Sequence, residues 1–159
     1  MKRTAEFSPC RKYRYTLWRE WGGLFVSGTA MFIGLNPSTA DETKDDPTVR
    51  RCIRYARDWG YAGMCMTNIF AFRATDPNVM KAAVDPVGPE NDTALVNTAC
   101  ICDIVVAAWG VHGAHLRRHA RVLELIPGLR CLTITQGGFP GHPLYLPASL
   151  TPKPYPVDV

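Results

Sequence analysis

No apolar run in this 159-residue chain exceeds the length of a strand, which argues against a membrane-spanning helix. No Cys-x-x-Cys pair occurs among the six cysteines (Cys10, Cys52, Cys65, Cys100, Cys102 and Cys131). Most of these lie inside apolar patterns, so free buried thiols in a reducing compartment are expected, not a disulfide framework. Cys100-Ile101-Cys102 is too tightly spaced for a zinc knuckle. His112, His115 and His119 have a metal-like spacing but no acidic or cysteine partner, so no metal is expected. The N-terminal Met1-Lys2-Arg3-Thr4-Ala5-Glu6 has charge with no apolar run behind it. That is not a secretory signal, and a cytoplasmic location is the expectation. Internal repeats are also absent. Charge of one sign is in slight excess only, +4, which permits a nucleic-acid partner without demanding one.

A hydrophobic content of 47% and a charged content of 20% are ordinary for a globular protein. The length suits one domain, 1–159, with its core at about 11–147 and a proline-rich tail over 148–159. Tyr13 to Arg19 alternates in part and reads as a strand. It is expected to pair antiparallel with the strand that ends at Leu35. Asp46 suits an N-cap and Pro47 the first helical position, so a helix starts there and runs to Gly60. Val49, Cys52, Ile53, Ala56 and Trp59 fall on one side of it; Arg50, Arg54 and Arg57 fall on the other, a solvated face by default. A second strand is expected at about Met64 to Phe70 and a short helix from Asp76-Pro77. Another helix buries Leu95, Ala99 and Cys102 and closes at Asp103. Ile104 to Ala108 reads as a third strand, and Gly113 leads into a helix with Leu116, Ala120, Leu123 and Ile126 inward. Cys131 to Thr135 reads as the last strand. Beyond Gly137, Pro140, Pro143, Pro147, Pro152, Pro154 and Pro156 point to an extended wrap, loosely ordered at its end. Strands alternating with helices predict an α/β fold: a three-layer α/β/α sandwich on a mainly parallel four-stranded sheet, with an N-terminal antiparallel strand appended.

Three polar punctuations follow these strands: Gly34-Leu35-Asn36-Pro37-Ser38, Thr67-Asn68 and Gly141-His142-Pro143. In an open α/β sheet the strand C-termini share one edge, and ligands bind outside it. Two asparagines and a histidine are therefore expected to converge on one pocket. Each has a plainer alternative. Asn36-Pro37-Ser38-Thr39 is also an ordinary turn or cap, Asn68 can satisfy backbone groups at a strand end, and His142 can anchor a proline-rich loop.

Gly34-Leu35-Asn36-Pro37, Thr67-Asn68-Ile69-Phe70-Ala71-Phe72-Arg73, Val105-Val106-Ala107-Ala108-Trp109-Gly110 and His142-Pro143, in that order, resemble the uracil-DNA glycosylase superfamily. The resemblance spans about Met31 to Pro147. It implies a hydrolase acting on a nucleobase in DNA, with no cofactor. It also implies that Asn36 holds the attacking water, that Asn68 reads a flipped pyrimidine and that His142 donates to a base oxygen. Gly34, Leu35, Pro37 and Ser38 would shape the water-side loop. Phe70 or Phe72 would stack on the base, beside Arg73; both phenylalanines also suit the core. Pro143, in the loop with His142, would touch the base and the DNA, and Leu144 or Tyr145 would fill the gap left in the duplex. A small Ser38 leaves room for a thymine-like or modified base. Asp41, Asp45 and Asp46 beside the first motif favour a small-molecule or modified-base site as much as tight DNA binding.

Closer still, the chain is similar to a bacterial and phage domain family of unknown function. The shared features are Tyr15-Thr16-Leu17-Trp18-Arg19, Leu35-Asn36-Pro37-Ser38-Thr39-Ala40-Asp41, Asp46-Pro47-Thr48, Asp85-Pro86-Val87-Gly88-Pro89-Glu90-Asn91-Asp92 and His142-Pro143-Leu144-Tyr145-Leu146-Pro147. Rival expectations are a non-catalytic nucleotide or nucleic-acid binding module, a phage-type base-modification enzyme, and an interaction protein using its tail.

Overall fold

The computed structural model describes residues 1–155. Seven strands form one mixed sheet in the order β1-β2-β4-β3-β5-β6-β7. They are β1 (Lys2–Phe7), β2 (Arg14–Glu20), β3 (Thr29–Gly34), β4 (Gly63–Asn68), β5 (Ile104–Ala107), β6 (Arg130–Cys131) and β7 (Lys153–Pro154). The helices are α1 (Pro47–Asp58), α2 (Pro77–Ala82), α3 (Asn91–Ile101) and α4 (Arg118–Leu125). Short 3-10 turns cover Val111–Arg117 and Pro143–Tyr145.

Period-2 alternation along β3 divides the core. Ala30 and Phe32 pack with Val49, Cys52, Ile53 and Ala56 of α1. Met31 and Ile33 join Met80 of α2, Leu95 of α3 and Val122 of α4. Successive strand side chains point to opposite faces, so β3 needs cover on both. α1 begins as its sequence dictates: the Asp46 carboxylate accepts the Val49 N–H at 2.8 Å and Pro47 opens the helix.

Several expectations are corrected. β3 pairs in parallel with β4 and β5, and β5 with β6. β1–β2, β2–β4 and β6–β7 are antiparallel. The sheet is therefore mixed, with seven strands, and not a mainly parallel sheet of four. β2 pairs with β4, not with β3, because β4 and β5 already occupy both edges of β3. β6 stops at Cys131 and does not run to Thr135. The helix expected from Gly113 starts only at Arg118, since Leu116 and Arg117 take left-handed backbone angles. Leu116 is accordingly exposed, and Val122 supplies the buried contact. β7 draws the proline-rich segment onto the sheet edge, and Tyr155 is buried beside Trp109. The loose end expected beyond Tyr155 lies outside the described residues.

All six cysteines are free. Burial pushes the Cys52 and Cys65 thiols well up and Cys102 to about 12, so these three stay protonated. Among the described residues, no helix is long and apolar enough to cross a membrane. Nor do three or more His, Cys, Asp or Glu side chains gather there in a metal-binding group.

Candidate functional site

β3, β4 and β5 run in parallel and so end on one edge. β2 runs the other way, so its first residue, Arg14, lies on that same edge. A cleft of about 800 Å³ opens there, within the range typical of small-molecule sites. Asn36, Asn68 and His142 all line it. So do Gly34, Leu35, Pro37, Ser38 and Leu144.

Asn68 ends β4, opposite Gly34 of β3. The chain after it is pinned by two buried side chains. Asn91 Nδ2 donates to the carbonyls of Asn68 and Ile69, and Arg118 Nε donates to that of Ile69. Arg118 is itself paired with Asp92. The Asn68 side chain is 2% exposed, and its Nδ2 has no protein partner among the described residues. A buried donor of this kind is served by water or by a ligand.

Gly34 makes room for Asn68. A Cβ there would stand 2.8 Å from Asn68 Oδ1 and 2.6 Å from Met66 Cε. Gly34→Ala is expected to displace the Asn68 amide, costing about 1–3 kcal/mol of stability and weakening ligand binding more than any neighbouring loop change. Thermal denaturation combined with nucleobase titration checks both effects.

Asn36 is held by its amide nitrogen. Nδ2 donates to Ala74 O at 2.7 Å and to Pro37 O at 3.2 Å, and Ala74 N–H returns a bond to Pro37 O. Oδ1 is left as an acceptor, which suits it to hold a water.

His142 caps the Pro143–Tyr145 turn. Its Nδ1 accepts the Leu144 N–H at 3.2 Å. An accepting Nδ1 has no proton, so the ring is the neutral tautomer with a donor at Nε2. Burial lowers its pKa, favouring that neutral form. The loop that carries His142 is tied down by Gly141 N–H to Thr133 O and by Gly110 N–H to Pro140 O. Further along, Tyr55 OH donates to Pro147 O at 2.6 Å.

Four expected contributors lie elsewhere. Phe70 is fully buried in the core against His115, where aromatic area is worth more than at an open rim. Phe72 packs edge-on to Tyr13. The Arg73 guanidinium lies over Phe7, 4.8 Å from the ring centroid, and donates to Arg11 O. Pro143 is buried as the first residue of its turn and is not among the residues that line the cleft. Tyr145 stands at the rim, 82% exposed, with its ring 5.3 Å from that of His142.

The acidic cluster is also more engaged than its sequence suggests. Asp45 pairs with buried Arg19, and Asp41 accepts the N–H groups of Thr43 and Lys44. Asp46 faces the cleft while capping α1. On the α1 surface, Arg54 meets Asp58 and Arg57 lies over Trp21.

Sequence reasoning assigned no site role to Arg14 or Trp109, which both line the cleft. A cation opening an otherwise half-apolar strand was the signal for Arg14. Trp109 comes just past the end of β5, after Ala108, so the strand-end rule covered it. Its Nε1, like Asn68 Nδ2, has no protein partner among the described residues.

The architecture defines a mixed α/β domain with a cleft at the shared strand-end rim, lined by amide, imidazole and guanidinium groups. A family model matches residues 14–144, most of the chain. The chain belongs to that family, described as "protein of unknown function (DUF1643)". No curated protein and no solved structure matches it.

Proposed function

We propose that this protein is a nucleobase-directed hydrolase that cleaves the N-glycosidic bond of a pyrimidine, modified ones included, in DNA. The supporting observation is the meeting of Asn36, Asn68 and His142 in one cleft from segments far apart in the chain. Resemblance to the uracil-DNA glycosylase superfamily gives the reaction class. Breaking the bond builds positive charge on the sugar and negative charge on the leaving base. Asn36 Oδ1 orients a water toward the sugar; a cationic sugar needs little deprotonation of that water. Asn68 offers a free amide N–H to the base edge. His142 Nε2–H donates to the base oxygen as charge grows there. With Phe70 in the core and Phe72 partly buried against it, the base is held by the cleft walls, Leu35 and Trp109 among them.

The direct test is base release from single-stranded and duplex DNA carrying several modified pyrimidines. Release by the wild-type protein is the expected result. No turnover on any substrate, with no DNA affinity, removes the enzyme reading. Binding without product makes the domain a non-catalytic nucleotide-binding module, a reading favoured by the amide at Asn36, which is no strong base.

A pH profile follows from the ring of His142. Its folded pKa lies below the ordinary value of about 6.5. As pH falls, the unfolded chain therefore takes up this proton first, and His142 costs stability from about pH 6.5 down to the folded value. Protonation also puts an N–H at Nδ1 against the Leu144 N–H. Turnover is expected to be level above about pH 6.5 and to decline with a midpoint below it. A midpoint above that value would contradict the lowered pKa, and turnover that rises as the pH falls would rule out the neutral ring as the working form.

A further inference from the structure

Three residues that line the cleft carry a buried polar side-chain atom without a partner among the described residues, and all three atoms are donors. Arg14 Nε, Asn68 Nδ2 and Trp109 Nε1 all lack a protein acceptor among the described residues. Arg14 stands out because it is charged. Its side chain is 2% exposed, and it lines the cleft. Nη1 donates to Ala40 O at 3.0 Å, its single hydrogen bond among the described side chains. No carboxylate lies within ion-pair distance of it there, whereas buried Arg19 and Arg118 each have one. Burial lowers the Arg14 pKa to about 10, which leaves it cationic at neutral pH.

A buried cation needs an anion or a full set of acceptors. Asp46 is the carboxylate that shares the cleft; its charge favours the Arg14 cation from beyond ion-pair distance, while its Oδ1 accepts the Val49 N–H. The guanidinium keeps its Nε edge for something else. A flat two-donor edge matches the oxygens of a phosphate better than any neutral group.

We propose that Arg14 is an anion-binding residue of this cleft and that the ligand is a nucleotide whose phosphate seats against it. The nucleotide half rests on the nucleobase reading above; the anion half does not. Phosphate can come from a free mononucleotide as a monoester or from a DNA strand as a diester, and the two share this chemistry.

The test uses the full chain and four probes: thymidine, thymidine 5′-monophosphate, inorganic phosphate, and a single-stranded thymidine-containing oligonucleotide. Affinities are read by calorimetry, and the Arg14 Nε–H resonance by NMR. Wild-type protein is expected to bind the monophosphate about tenfold or more tightly than thymidine, with a shift of the Nε–H signal. Arg14→Met is expected to erase that difference while leaving thymidine affinity unchanged. Should Arg14→Met fail to fold, Arg14→Lys keeps the charge without the fork and is expected to reduce the difference. The wild-type comparison needs no variant at all. Preference for the monophosphate over the oligonucleotide assigns a monoester; the reverse assigns a diester. Phosphate binding at Arg14 with no added affinity from thymidine keeps the subsite and overturns the nucleobase reading. Thymidine binding with no gain from phosphate overturns the subsite and keeps that reading. No gain from a phosphate group in any probe also overturns the subsite.

Discussion

Arg19→Met is expected to destabilise the domain by about 3–5 kcal/mol, the range for removing one partner of a buried pair. Arg19 is fully buried on β2. Its Nε donates to Asp45 Oδ1 at 2.8 Å, Nη2 to Asp41 O at 2.6 Å and Lys44 O at 3.2 Å, and Nη1 to Trp18 O at 2.9 Å. Methionine fills much of the volume but leaves the Asp45 charge and the carbonyls of Asp41, Lys44, Trp18 and Thr4 without this donor. One side chain thus fastens the loop between β3 and α1 to the sheet, and Asp46 at its end faces the cleft. For a chain of this size the loss corresponds to a fall of roughly 6–20 °C in Tm. Thermal and urea denaturation measure it; a Tm within a few degrees of wild type would show that the loop holds itself. The Arg11–Glu42 pair is the contrast, lying at the surface, and its loss should leave stability nearly unchanged.

Asn36→Ala is expected to lower turnover on the order of 10²-fold or more, the penalty for misplacing a reacting group. On the proposed function KM should change far less, because Asn68 and the walls, and not the water, would grip the base. Asn36 also has a structural bond, Nδ2 to Ala74 O. Its loss costs about 0.5–1.5 kcal/mol, too little to unfold a domain of ordinary stability. Single-turnover base release, set beside Tm, separates the two effects. Equal loss in binding and turnover would make Asn36 a loop anchor and not a water holder.

Local chemistry made much of the fold legible. Asp46-Pro47 marks the start of α1 because a cap and its ring act within three residues. The buried stripe Val49, Cys52, Ile53 and Ala56 follows from helical period alone. β1 left little trace, since Lys2–Phe7 is mostly exposed and becomes a strand by pairing with β2. The late start of α4 was equally hidden. Gly113 packs against Trp109, His119 Nδ1 meets Gly113 O, and the chain must turn through left-handed Leu116 and Arg117 before the helix can begin.

For the site, Asn36 and Asn68 were visible as polar residues just beyond apolar runs, and parallel strands bring such residues to one rim whatever lies between them; His142 stands well past β6 and reaches that rim on a loop tied back by Gly141 N–H to Thr133 O. The amino-acid order was enough for that much, because hydrophobic period and turn chemistry are short-range. Only tertiary packing decided that Phe70 enters the core with Phe72 partly buried against it, that β2 docks antiparallel on β4, and that Arg14 thereby enters the cleft. Strand partners are chosen by burial and edge availability summed over the whole sheet, a quantity that no local window of residues contains.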